Sequence, residues 1–220
     1  MPEVNLLDTY PRIKRKIEER AAWKARSPEN RLIAKRFGFE YFDGTREQGY
    51  GGYHYDGRWK AVAQRMIDFY GLTAKARILD VGCAKGFLLH EFQELLPGVQ
   101  VAGIDVSQYG LLHAVPSAQP RCFLANATDV PFPNRSFDLV ISVNVVHNLP
   151  RELCRRALRE MERVGRKGKY LQVDSYRNEA EKTALENWQL TAELIYSTQE
   201  WEALFREVGY TGEYYWTITE

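Results

Sequence analysis

The chain has 220 residues and a mass of 25.5 kDa, with 45% hydrophobic residues, 27% charged residues and a formal net charge of +1. That length suits one α/β domain with a modest extension, and so balanced a charge gives no global field pointing to nucleic acid or membrane. The chain opens without a basic segment followed by an apolar core, and no apolar run approaches a membrane span. The three cysteines (Cys83, Cys122, Cys154) fit neither a zinc site nor a disulfide framework, so the cytoplasm is the expected compartment.

Residues 11–37 read as a strongly charged helix with a break at Ser27–Pro28, and residues 38–57 as a loop rich in glycine and aromatic residues. A helix follows in "RWKAVAQRMIDFYGL", where Trp59, Val62, Met66, Ile67 and Tyr70 recur near helical spacing, and it ends at Gly71. From residue 77 strands alternate with helices: "RILDV", then "KGFLLHEFQELL"; "VQVAGIDV", then "QYGLLHAV"; "CFLANA", then "FDLVISV" and "RELCRRALREMERV"; and "KYLQVDS". Helices are expected near 178–189 and 198–207, and a last strand in "GEYYWTIT". This alternation implies right-handed crossovers and a parallel sheet covered on both faces. The domain division follows: residues 1–71 form a helical extension with an aromatic loop, and residues 72–220 the core.

"ILDVGCAKGF" is a buried strand running into a glycine turn and a helix. In open parallel sheets ligands sit outside the carboxyl ends of strands, so Asp80 to Gly86 belongs to that crevice. Gly82 allows a tight turn, and Gly86 a close approach of helix to strand or ligand. Asp105 ends the second strand about 20 residues on, where an acid meets ribose hydroxyls in dinucleotide folds. The three-glycine pyrophosphate fingerprint is missing, as is a phosphate loop of the Gly-Lys-Ser/Thr kind. Lys85 places a positive charge at the helix start, where backbone N–H groups also favour an anion.

"ILDVGCAKG", "GIDVS" and "ANATDVPFPNRSFDLVISVNVVHNL" together resemble the successive motifs of class I S-adenosylmethionine-dependent methyltransferases, in order and spacing, over residues 75–175. The resemblance implies a Rossmann-like α/β sheet, mostly parallel with helices on both faces, S-adenosyl-L-methionine as cofactor, and methyl transfer. It further implies that Asp80, Gly82 and Gly86 surround the methionine part of the cofactor, with Cys83, Ala84 and Lys85 of the same turn also cofactor-binding. Asp105, with Val106 beside it, would bind the ribose. Asn126 would accept from the adenine amine through its amide oxygen, and Ala127 would offer its N–H to the ring. Ser142 and Val143 would border the methionine amine and sulfonium. Two departures stand out: Ala84 replaces a frequent glycine, a small change if its φ is negative, and only one strand follows the last helix where the family usually has a hairpin.

Methyl transfer asks the protein mainly to position a nucleophile and exclude water, and a protonated nucleophile also needs a base. His147, beyond the fourth strand, is either such a base or a structural or substrate-lining residue. Asp174, ending the fifth strand, is either a second acid/base group or a helix cap. Asn144 and Asn148 are placed to orient a polar substrate, and Arg177 to clamp an anion unless it is an ordinary surface arginine. "QGYGGYHYDGRW" packs three tyrosines and four glycines into twelve residues. Tyr50, Tyr53, Tyr55, Asp56, Arg58 and Trp59 are therefore expected either to cover the cofactor and touch substrate, or to staple the N-terminal helices to the core. Trp188, Tyr215 and Trp216 are further candidates for a pocket wall. The expected activity is methylation of a small polar metabolite, such as a sugar or natural-product precursor, without nucleic-acid or membrane partners. The alternatives are tRNA or rRNA methylation, or a catalytically silent cofactor-binding subunit.

Overall fold

The computed structural model describes residues 1–11 and 26–219. The first half of the helix expected over 11–37, residues 12–25, lies outside the described residues. Its continuation is α1, Pro28–Ala34, with Pro28 in its first turn and the Ser27 hydroxyl oxygen accepting from the Asn30 N–H at 3.1 Å. Ser27–Pro28 thus starts a helix rather than merely interrupting one. The aromatic loop holds a single helical turn, α2 (Phe39–Phe42), and α3 (Lys60–Tyr70) ends on the left-handed Gly71.

The described residues form six strands: β1 (Arg77–Val81), β2 (Gln100–Asp105), β3 (Cys122–Leu124), β4 (Phe137–Val143), β5 (Gly165–Ser175) and β6 (Glu213–Ile218). They lie in the order β3-β2-β1-β4-β5-β6, and every neighbouring pair is parallel. The connecting helices are α4 (Phe87–Leu95), α5 (Gln108–Leu112), α6 (Arg151–Val164), α7 (Glu179–Trp188) and α8 (Thr198–Val208). β3 stops at Leu124, short of the expected "CFLANA": Ala125 makes one last bond to the Asp105 carbonyl, and Asn126 then turns the chain.

Successive strand residues face opposite sides, and two apolar clusters result. Leu79, Val140 and Leu171 pack with Leu158 and Met161 of α6 and Trp201 and Phe205 of α8. Ile78, Leu139 and Ile141 pack with Met66 and Ile67 of α3 and Leu89 and Phe92 of α4. Both faces are covered, as a parallel sheet requires. The chain runs outward from β1 through β2 to β3, then crosses to β4 on the other side, so the switch point opens at the carboxyl ends of β1 and β4. The single strand β6 lies directly beside β5. Its outer edge carries residues 2–4, where Val4 N–H donates to the Tyr214 carbonyl at 2.9 Å and Tyr214 N–H to that of Pro2 at 3.2 Å. No described helix is long and apolar enough to cross a membrane.

Candidate cofactor and acceptor site

After β1 the chain turns on Gly82, whose N–H donates to the Ile104 carbonyl at 2.7 Å, as does that of Cys83 at 3.1 Å. Gly82 has φ +86°, and a Cβ there would come within 2.2 Å of Val145, so only glycine lets the turn lie against the β4 loop. Ala84 has φ +49°, contrary to the negative φ that would have made the alanine a small change. It sits in the left-handed region, where a Cβ costs about 1–2 kcal/mol. The Ala84 N–H donates to Asp105 Oδ2 at 2.8 Å, and the Ser107 N–H to Oδ1 at 2.7 Å. Asp105 therefore holds the turn as well as facing the crevice. Gly86 serves packing: a Cβ there would meet that of Ala118 at 2.8 Å.

Asp80 is 6% exposed, and its carboxylate receives no hydrogen bond among the described residues. Burial, reinforced by the negative charge of Asp105, pushes its pKa up to about 7. Burial also raises Asp105, against the backbone N–H groups of Ser107, Ala84 and Val106. A buried carboxyl without a donor and a half-buried one beside it, at the head of one turn, favour a cationic group nearby.

A cavity of about 740 Å³, solvent at its mouth included, opens at this turn. Gly82, Ala84, Asp105, Val106, Asn126 and Ala127 line one side, and Val143, Asn144, Asn148 and Tyr50 the other. Sequence reasoning missed Phe37, Tyr41 and Phe42 from the N-terminal segment, together with the apolar lining Ile104, Ala125, Val145 and Leu149. The aromatic run "FGFEYF" was the available signal for the first three.

Several expected residues lie elsewhere. Cys83 is buried against Gly103 and the Cys122 thiol, and the ammonium of Lys85 is paired with Asp43. Ser142 is fully buried, its hydroxyl without a partner among the described residues. Asn126 Oδ1 accepts from both the N–H and the hydroxyl of Thr128, each at 3.0 Å. Both its acceptor positions are then taken. The group Asn126 can still offer is its Nδ2, a donor, rather than the expected oxygen. His147 and Asp174 are buried against one another beneath the cavity and do not line it.

The aromatic segment divides between the two roles expected of it. Tyr50 faces the cavity and stacks on Tyr53 at 4.4 Å, and Tyr53 stacks on Phe87 of α4 at 4.7 Å. Tyr53 and Tyr55 are staples, the latter donating to Glu91 at 2.9 Å. Asp56 and Arg58 pair with each other on the surface, and Trp59 packs on Tyr10. Arg177 binds Glu181, and Tyr215 and Trp216 belong to β6; with Trp188 they lie outside the cavity lining. On the acceptor side the Tyr41 hydroxyl meets those of Tyr50 and Thr191. Thr191 donates to Asn148 Oδ1 at 2.8 Å, and Thr217 to Asn144 Oδ1 at 2.9 Å.

An apolar cavity at the switch point, glycine-close backbone and unneutralised carboxyls suit a cationic nucleoside ligand without phosphates. Residues 79–173 match the family described as "Methyltransferase domain". Residues 79–173 are thus a methyltransferase domain of the class I kind, a family whose cofactor is S-adenosylmethionine. It is 34% identical over 95 residues to malonyl-[acyl-carrier protein] O-methyltransferase of Legionella pneumophila, covering 40% of this chain and 33% of that protein. It is 31% identical over 122 residues to nocamycin O-methyltransferase of Saccharothrix syringae, covering 50% and 44%. Among solved structures the fold is shared with YcgJ of Bacillus subtilis (24% identity, TM-score 0.50, 66% of each chain). It is shared too with a Bacillus halodurans protein (18% identity, TM-score 0.53, 67% of this chain and 68% of that one). The matched segment thus spans a third to less than half of the two curated relatives.

Proposed function

We propose that this protein transfers a methyl group from S-adenosylmethionine to an oxygen of a small polar acceptor, within the cavity at the carboxyl ends of β1, β2 and β4. The observation that carries this reading is Asp105 with the glycine turn of Gly82 and Ala84 lining a cavity that Phe37, Tyr41, Phe42 and Tyr50 also line, while Asp80 is buried at the head of the same turn. Two relatives bear the names of O-methyltransferases, which favours oxygen as the acceptor atom.

The cofactor supplies a methyl group already activated on a sulfonium, so the chain's task is placement. Asp105 would take the ribose hydroxyls with the lone pairs its two backbone partners leave free. Gly82 and Ala84 bring backbone beside the methionine tail, and Asp80 offers charge to its cationic end. Asn126 and Ala127 would hold the nucleobase, Asn126 through Nδ2. Tyr41 and Tyr50 keep their protons, since burial raises Tyr41 and the neighbouring Tyr41 raises Tyr50. They therefore act as donors, and with Asn144 and Asn148 they would orient the acceptor. Phe37, Tyr41, Phe42 and Tyr50 would then form a wall of the site and exclude water from it.

Calorimetry with S-adenosylmethionine and its demethylated product, followed by label transfer from methyl-labelled cofactor to a panel of small hydroxylated and carboxylated acceptors, tests the proposal. Micromolar cofactor binding and labelled product are expected. Absence of cofactor binding would refute the reading.

A further inference from the structure

Lys85 follows Ala84 in the cofactor turn, yet its side chain is only 6% exposed and that of its partner Asp43 13%. The Lys85 ammonium lies 2.8 and 2.7 Å from the two Asp43 oxygens. Asp43 also accepts from the Tyr109 hydroxyl of α5 at 2.8 Å and from the Tyr53 N–H at 3.1 Å. Burial alone would raise the Asp43 carboxyl, but the bonds from Lys85, Tyr109 and Tyr53 outweigh it and hold the pKa at about 2. Asp43 is therefore held as a carboxylate with its hydrogen-bonding capacity well used, and the Lys85 side chain, committed to both its oxygens, is not available to a ligand carboxylate.

What Asp43 ties down is specific. It follows α2 directly, and α2 carries Tyr41 and Phe42 of the cavity wall. Tyr50 N–H donates to the Tyr41 carbonyl at 2.8 Å, and Gly52 N–H to that of Phe42 at 3.1 Å. Tyr50 stacks on Tyr53, whose N–H Asp43 holds. On the other side, the Ala84 N–H is held by Asp105 and the Lys85 carbonyl accepts from Val115 at 3.0 Å. One ion pair thus joins the turn that approaches the cofactor to the aromatic unit that faces it.

We propose that Lys85 is a positioning residue for the cofactor: by holding Asp43 it locks Tyr41, Phe42 and Tyr50 against the glycine turn, so that turn and wall form one rigid cleft. Removing either charge leaves its partner buried and unpaired, and the wall moves away to reach water. The proposal rests on the cofactor reading given above.

The test compares the wild type with Lys85→Met, Asp43→Asn and the double variant, all well below their unfolding midpoints. Affinity for S-adenosylhomocysteine is measured by calorimetry, and trypsin cleavage after the exposed Arg46 by rate. Each single variant is expected to weaken binding about tenfold or more and to speed cleavage, with the double variant no worse than the weaker single. A role confined to stability would lower the melting temperature while leaving both readouts unchanged, and that result overturns the proposal, as do additive losses. Asp43→Asn is nearly isosteric and carries the test if Lys85→Met does not fold. If the wild type fails to bind the cofactor, the functional reading is at fault, and the cleavage rates alone then decide whether the ion pair locks the wall.

Discussion

His147 Nδ1 accepts the backbone N–H of Asp174 at 3.1 Å, while its Nε2 lies 3.5 Å from Asp174 Oδ2. A neutral imidazole with one nitrogen accepting carries its proton on the other, so the ring's single lone pair is already spent on the backbone. Both side chains are nearly inaccessible, and the cavity wall does not include them. The pair links the turn after β4 to the end of β5, a geometry that suits a structural role for His147.

Burial lowers the His147 pKa, against the pull of Asp174. A histidine whose folded pKa is depressed gives stability that is present above its unfolded value, near 6.5, and lost as pH falls through it. His147 therefore lowers the melting temperature between about pH 7 and 5, against the gain that Asp80 protonation gives over the same range, so its part is read as the difference between wild type and variant. His147→Asn, which keeps an acceptor for the Asp174 N–H, should remove that part while retaining turnover to within a few fold. A hundredfold loss of kcat with unchanged cofactor affinity would restore the general-base reading.

Asp80 titrates at about 7, and its stabilising protonation is lost as pH rises through that value. A sulfonium or ammonium bound nearby lowers the pKa again. Cofactor binding should then release a proton around pH 6.5, seen as a dependence of calorimetric enthalpy on the buffer's ionisation heat. Asp80→Asn should abolish that dependence; a release that persists in the variant would assign the proton to another group.

Asp105→Ala removes the ribose partner and the acceptor of two turn amides. Binding of S-adenosylhomocysteine should weaken by about 1.5–3 kcal/mol, roughly 10- to 150-fold. Unchanged affinity would remove Asp105 from the site.

The two small residues of the turn should respond unequally. Gly82→Ala places a methyl on Val145 at a left-handed position and should cost about 1–3 kcal/mol of stability and most of the cofactor affinity. Ala84→Gly relieves a strained φ of +49°. The gain offsets the added freedom of the unfolded chain, so stability is expected within about 1 kcal/mol of wild type, on either side. Melting curves and calorimetry on both variants check this.

The sheet was legible because its signals are local: apolar strands, glycine turns, and the spacing from turn to Asp105. So were most residues on the cofactor side of the cavity, which come from strand ends. The opposite wall was only half legible. Tyr50 was in view, but Tyr41 and Phe42 reach the cavity by the folding back of a segment that local pattern reads simply as loop. Lys85 could not be explained at all from sequence, because its partner, Asp43, is set by tertiary packing. His147 and Asp174 showed the reverse failure: each looked chemical by type and position, and only the geometry reveals that they are buried against each other, the His147 ring accepting the Asp174 backbone N–H.

Pro2 to Val4 lie along the outer edge of β6, next to Tyr214. An unpaired edge strand invites another molecule to extend the sheet, and here the chain's own beginning occupies that place. The first and last parts of the described chain are therefore spatial neighbours, although almost the whole sequence separates them. Such an arrangement makes the completion of the sheet a late event in folding, since its rim cannot close before these distant segments have met.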